Sequence, residues 1–120
     1  MKATIATEAR YLFAKSEVSL VVCPETVFVK IDADEHEVEV IQINRTSAKG
    51  DTVTHLWQTL YNEARNYNKA AQHEARPPRR YGLLAICAAL SDMAATVART
   101  CEESELDNVD QWETFLDLYL

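Results

Sequence analysis

Glycine and proline are scarce in this chain, with two glycines and three prolines among 120 residues. Two isolated glycines cannot build a phosphate-binding loop or a dinucleotide-binding fingerprint, and no G-x-S-x-G nucleophile motif occurs. So few turn-forming residues also argue against a loop-rich all-β sandwich. The longest uninterrupted apolar run, Leu83 to Leu90, is much shorter than a membrane-spanning helix requires.

Paired metal ligands and paired cysteines are missing as well. The three cysteines, Cys23, Cys87 and Cys101, are odd in number, and no C-x-x-C or H-x-x-x-H pair occurs. Each cysteine lies among apolar neighbours, so we expect all three to be reduced and buried. The N-terminal residues lack the apolar segment of a signal peptide. The sequence therefore predicts a cytosolic protein that needs neither a metal ion nor an organic cofactor.

The charge of the chain is negative and concentrated at one end. The formal net charge is −7, and residues 102–120 contain seven acidic residues and no basic one. The other 101 residues are therefore neutral in sum. An acidic chain is unsuited to a phosphate backbone, which needs clustered lysine and arginine. It is suited to approaching a positively charged protein surface.

The first half of the chain predicts β-structure. Three β-branched segments, at 18–22, 27–31 and 37–43, predict a three-stranded antiparallel meander with short connections. Alternation in the third segment puts Val38 and Val40 on one face and Glu37 and Glu39 on the other. Residues 2–15 fit either one face of a helix or a short strand.

The second half predicts helices. Helix A begins after Asp51 or Thr52, and its apolar stripe consists of Val53, Leu56, Trp57, Leu60, Tyr61, Ala64 and Ala71. Helix B runs from about Arg79 to Cys101 and is so poor in polar residues that we expect it to be central. A short helix C begins near Asn108, with an inner face of Val109, Trp112, Phe115, Leu116 and Tyr119. The prediction is a single α+β domain spanning 1–120, a small antiparallel meander packed against an αα-hairpin and a short C-terminal helix.

The segment HEARPPRRYG, residues 73–82, is the predicted corner between helices A and B. Pro77 and Pro78 are explained by the end of helix A alone. Arg79 and Arg80 are not, because the dipole at the start of a helix disfavours positive charge. We expect a carboxylate from the 32–39 turn or from helix A beside them. The other interpretation is an exposed site for an acidic partner.

Catalysis finds little support in the residues. His36, His55 and His73 fall in no recognisable motif, and Glu35 and Glu37 are expected on one strand face as two solvated charges. The chain is therefore predicted not to be an enzyme.

Binding to another protein is the function that remains. We expect a non-enzymatic acidic module that inhibits or regulates a partner with a basic surface, for example a nuclease or helicase complex. In size and charge the chain is similar to phage and mobile-element accessory proteins, including inhibitors of bacterial defence. The predicted partner-binding residues are the acids Asp32, Asp34, Glu35, Glu102, Glu103, Glu105, Asp107 and Asp110.

Three alternatives stay open at this point. The acidic segment after helix B serves equally well as a solubilising linker. A small ligand-binding domain or enzyme would place its pocket between the sheet and helix B. A subunit of a homo-oligomer, a homodimer in the simplest case, would bury apolar surface of helix B or C against a copy of itself.

Overall fold

The computed structural model describes residues 3–34, 36–44 and 53–103. Four strands are followed by two helices, and this confirms the predicted α+β class. The predicted helix C lies outside the described residues. The elements are β1 (Ala3–Tyr11), β2 (Ala14–Val22), β3 (Thr26–Ala33), β4 (Glu39–Asn44), α1 (Val53–His73) and α2 (Pro77–Glu103).

The strands form one antiparallel sheet in the order β1-β2-β3-β4. Each strand pairs with the next along the chain, as expected when short turns connect alternating apolar segments. One row across the inner face joins Ile5, Leu20, Val29 and Ile41. β-Branched and leucine side chains fill this face, and Val18, Leu20, Val27 and Val29 are fully buried.

Two strands depart from the sequence prediction. Residues 3–11, which fit helix or strand equally well, form a nine-residue strand, so the sheet has four strands rather than three. The face expected to carry Val38 and Val40 inward is exposed: Val38 lies just before β4, Val40 lies within it, and both side chains are more than half exposed. Ile41 and Ile43 face the core instead, because the register places them opposite Val29 and Val27. A shift of one residue exchanges the two faces of a strand.

Helix α2 lies against the sheet and packs along α1, which confirms that it is central. Its sheet side carries Gly82, Ala85 and Ala89, whose small side chains allow close approach to the strands. The hydroxyl of Ser16, which is buried on β2, donates a hydrogen bond to the carbonyl of Ala85 at 2.7 Å. The core side chains that the helices add are Leu56 and Leu60 from α1 and Ile86, Leu90, Met93 and Val97 from α2.

Helix α2 begins two residues earlier than predicted. Pro77 and Pro78 occupy its first turn, where a backbone N–H has no partner within the helix and proline is tolerated. The first helical hydrogen bond runs from the N–H of Arg80 to the carbonyl of Arg76 at 3.0 Å. The prolines therefore start α2 as well as stopping α1.

Helix α2 is also the one described helix that is long and apolar enough to cross a membrane. The stretch Pro77–Arg99 has a mean hydropathy of 1.6, and half of it is buried within the fold. A core helix of a soluble protein meets the same criterion of length and composition. The stretch therefore supports no membrane assignment.

Candidate functional site: the hairpin tip and the helix corner

The turn between β1 and β2 consists of two apolar residues, Leu12 and Phe13. Tyr11 and Ala14 pair across it, so it is a two-residue hairpin loop. Leu12 has a φ of 53°, in the left-handed region that hairpin turns normally fill with glycine, asparagine or aspartate. A left-handed conformation costs an ordinary L-residue about 1–2 kcal/mol. The chain thus keeps a bulky apolar residue at a position that disfavours it.

These turn residues are also exposed. Phe13 is 92% exposed and Leu12 60% exposed, and Tyr11 beside them is 43% exposed. The Phe13 side chain, which is almost fully exposed, buries too little apolar surface to stabilise the fold appreciably. Contiguous exposed apolar residues on a small protein often mark a binding surface.

The corner between α1 and α2 lies beside this turn. Glu74 accepts a hydrogen bond from the N–H of Arg76 at 3.1 Å, which holds the pKa of the Glu74 carboxyl below its ordinary value. Its two oxygens lie 3.7 Å from Nε of Arg76 and 3.6 Å from Nε of Arg79. The guanidinium carbon of Arg80 lies over the ring of Tyr81, 5.5 Å from the ring centre.

The expected compensation of the corner arginines is thus partly correct. A carboxylate does accompany Arg79, and it belongs to Glu74, which precedes the prolines predicted to end helix A. In the structure Glu74 lies one residue beyond the end of α1. The reason is local, because a bend of three residues after α1 brings residue 74 back to the start of α2.

The turn after β3 attaches the sheet to the start of α2. The Nε2 of His36 donates a hydrogen bond to the carbonyl of Arg79 at 3.1 Å. Asp34 accepts one from the N–H of Lys15 at 3.0 Å, and its own N–H donates to the Lys15 carbonyl at 3.1 Å. The hairpin and the corner are therefore held in a fixed relation by this turn.

A groove of about 400 Å³ opens between the hairpin tip and the corner. Its walls are mainly apolar, and the ring of Tyr11 lies 5.8 Å from that of Tyr81, which helps to form one wall. We call this groove, together with Tyr11, Leu12 and Phe13, the hairpin–corner end. The residues lining the groove are Phe13, Ala14, Asp34, Pro77, Pro78 and Tyr81.

A row of carboxylates crosses the outer face of the sheet. Glu8 on β1 pairs with Glu17 on β2, and Glu17 pairs with Asp32 on β3. All three are exposed, and Lys15 forms an ion pair with Glu8 at 3.0 Å. We call Glu8, Glu17 and Asp32 the acidic row. Like charges directly opposite each other on a sheet are destabilising, so the row is not explained by stability.

The predicted partner-binding acids are not brought together as a group. Asp32 belongs to the acidic row, whereas the carboxylate of Asp34 is engaged with the backbone of Lys15. Glu102 and Glu103 are the last residues of α2, and their side chains are outside what the structure describes. Glu35, Glu105, Asp107 and Asp110 lie outside the described residues altogether.

Sequence reasoning missed Glu8, Glu17 and the hairpin tip. The missing step was the assignment of residues 3–11 to a strand, since a two-residue turn at 12 and 13 places Glu8 opposite Glu17. Adjacency of that turn to the helix corner is a tertiary contact with no signal in the sequence. The 92% exposure of Phe13 is likewise visible only in the tertiary structure.

A second group of interacting ionisable residues lies between α1 and β4. The hydroxyl of Tyr67 donates a hydrogen bond to the carboxylate of Glu39, and burial together with this bond raises the pKa of Tyr67. Burial also raises the pKa of Glu63 above its ordinary value, and the charge of Glu39 raises it further. This group fastens α1 over the edge of the sheet.

Two further predictions concern metal ligands and the cysteines. Within 3–34, 36–44 and 53–103, no group of three or more His, Cys, Asp or Glu side chains is arranged to hold a metal ion. Cys23 and Cys87 form no disulfide, and both are half-buried rather than buried as predicted. The side chain of Cys101 lies outside the description.

Comparison with known proteins adds no identification. No protein-family model, no curated protein and no solved structure matches this chain.

Proposed function

We propose that this protein is a non-enzymatic module that binds a partner protein through the hairpin–corner end. The observation that carries the proposal is Phe13, held 92% exposed at a left-handed turn beside an apolar groove. A few residues supply most of the binding energy of a typical interface, and large side chains buried in desolvated pockets are prominent among them. Phe13 is the anchor in this proposal, and the groove receives a side chain of the partner.

The surface is organised before any partner arrives. Hydrogen bonds from His36 to Arg79 and between Asp34 and Lys15 hold the hairpin against the helix corner. The proline rings at 77 and 78 have almost no side-chain freedom to lose on binding, and the two-residue turn leaves the backbone of the hairpin little freedom to lose. A preorganised surface binds more tightly because less conformational entropy is lost.

The proposed partner carries positive charge. The acidic row and the seven acids of residues 102–120 give the protein a negative field, which speeds encounter with a basic surface. Proteins that handle nucleic acids present such surfaces. We propose that the module regulates or inhibits a partner of this kind in the cytosol, as accessory proteins of phages and mobile elements do.

Two matched pairs of variants test the proposal. Phe13→Ser removes the anchor, and Val38→Ser makes the same kind of change at another exposed loop position. Glu17→Lys reverses a charge of the acidic row, and Glu25→Lys reverses an exposed acid at the opposite end of β2. Protein captured from cells of the native host by the unaltered chain is identified by mass spectrometry, and its affinity for each variant is measured by calorimetry.

We expect Phe13→Ser to weaken binding by tenfold or more, a loss of about 1.4 kcal/mol or more, which is common for a central aromatic anchor. Val38→Ser should bind like the unaltered protein. Glu17→Lys should slow association and reduce the dependence of affinity on salt, whereas Glu25→Lys should do so less. Equal affinities for Phe13→Ser and Val38→Ser would refute the assignment of the hairpin–corner end.

A further inference from the structure

Strand β1 has one side open in the described part of the chain. It lies at the edge of the sheet and pairs there with β2 alone. Its nine residues pair one-to-one with β2 without a bulge, and the strand contains neither proline nor lysine. Bulges, prolines, short length and charged side chains, especially lysine, are the usual devices that keep an edge strand from pairing with another chain. Of these, β1 has only the charges of Glu8 and Arg10.

The open side offers a defined set of backbone groups. In the two-residue turn the carbonyl of Tyr11 accepts from the N–H of Ala14, and hydrogen-bonded pairs then alternate along the strands. The backbone groups of Tyr11, Ala9 and Thr7 therefore point toward β2. Those of Glu8 and Arg10 point away from β2, in the plane of the sheet, where a further strand can form hydrogen bonds with them.

The fully buried part of the core ends between β2 and β1. Ile5 and Ala9 face the inner side of the sheet but are only partly buried, whereas Val18 and Leu20 on β2 are fully buried. α2 approaches both strands, so the incomplete burial arises at the open edge. Another sheet joined to β1 would extend the apolar layer and complete this burial.

The charged side chains of β1 favour one particular strand as the partner of its open edge. Glu8 and Arg10 are both exposed on the outer face, two residues apart. When two copies of β1 pair antiparallel about Ala9, each Glu8 lies directly opposite the Arg10 of the other copy. Pairing about Thr7 would instead bring the two Glu8 side chains into diagonal proximity. Opposite charges facing each other across a strand pair stabilise it, and like charges destabilise it.

We propose that the protein forms a two-fold dimer in which β1 pairs antiparallel with β1 of a second copy, centred on Ala9. The two sheets become one continuous eight-stranded sheet, and the interface is isologous. Four backbone hydrogen bonds join the copies, from the N–H groups of each Glu8 and Arg10 to the facing carbonyls.

Sedimentation equilibrium of charge variants at about 0.15 M salt, where exposed charges still interact over about 8 Å, tests this dimer. Glu8→Arg alone and Arg10→Glu alone each place like charges opposite one another at two symmetric positions. Each should raise the dimer dissociation constant by about fivefold or more. The double variant Glu8→Arg with Arg10→Glu restores opposite charges and should dimerise to within about threefold of the unaltered chain. Glu25→Arg is the control, because it reverses a charge away from β1.

Amide hydrogen exchange supplies a second measurement that does not depend on charge. The N–H groups of Glu8 and Arg10 should become protected as protein concentration rises, while that of Ala9 is protected at all concentrations. Three results would overturn the proposal: a monomer at all concentrations, single variants that dimerise as well as the unaltered chain, or a double variant no better than the single ones.

Discussion

Gly82 on α2 lies against the backbone carbonyl of Asp34 so closely that a Cβ at position 82 would stand 2.6 Å from that oxygen. The same Cβ would stand 2.9 Å from the ring of His36. Glycine is required here by the close approach of the turn after β3 to the helix, which also permits the His36 hydrogen bond to Arg79. This contact sets the position of the sheet relative to the helix corner.

Gly82→Ala should therefore destabilise the protein, although alanine favours a helix by about 1 kcal/mol over glycine. Overpacking against backbone atoms costs about 1–3 kcal/mol, because a carbonyl cannot move aside as a flexible side chain can. We expect a net loss in the free energy of unfolding, measured by urea denaturation. Ala95→Gly at an exposed position of α2 is the comparison. It should lower the free energy of unfolding only by the difference in helix propensity between alanine and glycine, about 1 kcal/mol. A Gly82→Ala protein as stable as the original would refute the contact.

Ser16→Ala tests the buried hydrogen bond between β2 and α2. The Ser16 hydroxyl, 1% exposed, donates to the Ala85 carbonyl, and the variant removes the donor but leaves a carbonyl that the helix still satisfies. We expect a loss of about 1 kcal/mol in the free energy of unfolding. Ser19→Ala on the outer side of the same strand should change stability by less than about 0.5 kcal/mol. Equal losses at the two serines would contradict this role.

Leu12→Gly should leave the fold as stable or make it more stable. Glycine removes the strain of the left-handed conformation, which stabilises the folded state by about 1–2 kcal/mol. Its greater freedom in the unfolded chain costs about 0.5–1 kcal/mol, so the net effect is small or stabilising. Ser19→Gly, within a strand, should destabilise by about 0.5–1 kcal/mol. Chemical denaturation compares the two. A large loss in Leu12→Gly would show that Leu12 stabilises the hairpin in a way its exposure does not indicate.

Glu63→Gln should change the pH dependence of stability. The raised pKa of Glu63 means that the folded protein holds its proton more tightly than the unfolded chain does. The resulting stability is present at acid pH and is lost as pH rises from the ordinary value of 4.5 through the folded pKa. The neutral glutamine avoids that loss, so we expect the variant to be more stable than the original at pH 7, by less than about 1 kcal/mol because the side chain is only partly buried. The difference should shrink toward pH 4. Thermal unfolding at the two pH values measures it, and a variant less stable at pH 7 would contradict the sign.

The position of the candidate site shows where sequence reasoning reached its limit. The acids at 32–39 and 102–110 are conspicuous in the sequence because they are close together along the chain. The acidic row draws Glu8, Glu17 and Asp32 from three strands, and strand register alone unites them. The hairpin tip is similarly hidden, because Leu12 and Phe13 have the composition of core residues and only the tertiary structure shows them exposed.

Periodicity by itself determined both helices, the two central strands and the α+β class. A stripe such as Leu56 and Leu60, or a β-branched run such as Val27 and Val29, permits one element type because only that element puts all its apolar side chains on one face. The tertiary structure decided the rest. Residues 3–11 became a strand because β2 was available as a pairing partner, and β4 turned Ile41 and Ile43 inward because the inner face of β3 had to be covered. Gly82 became indispensable because another segment of the chain packs on it. These outcomes depend on contacts between residues far apart in sequence, which a local pattern does not encode.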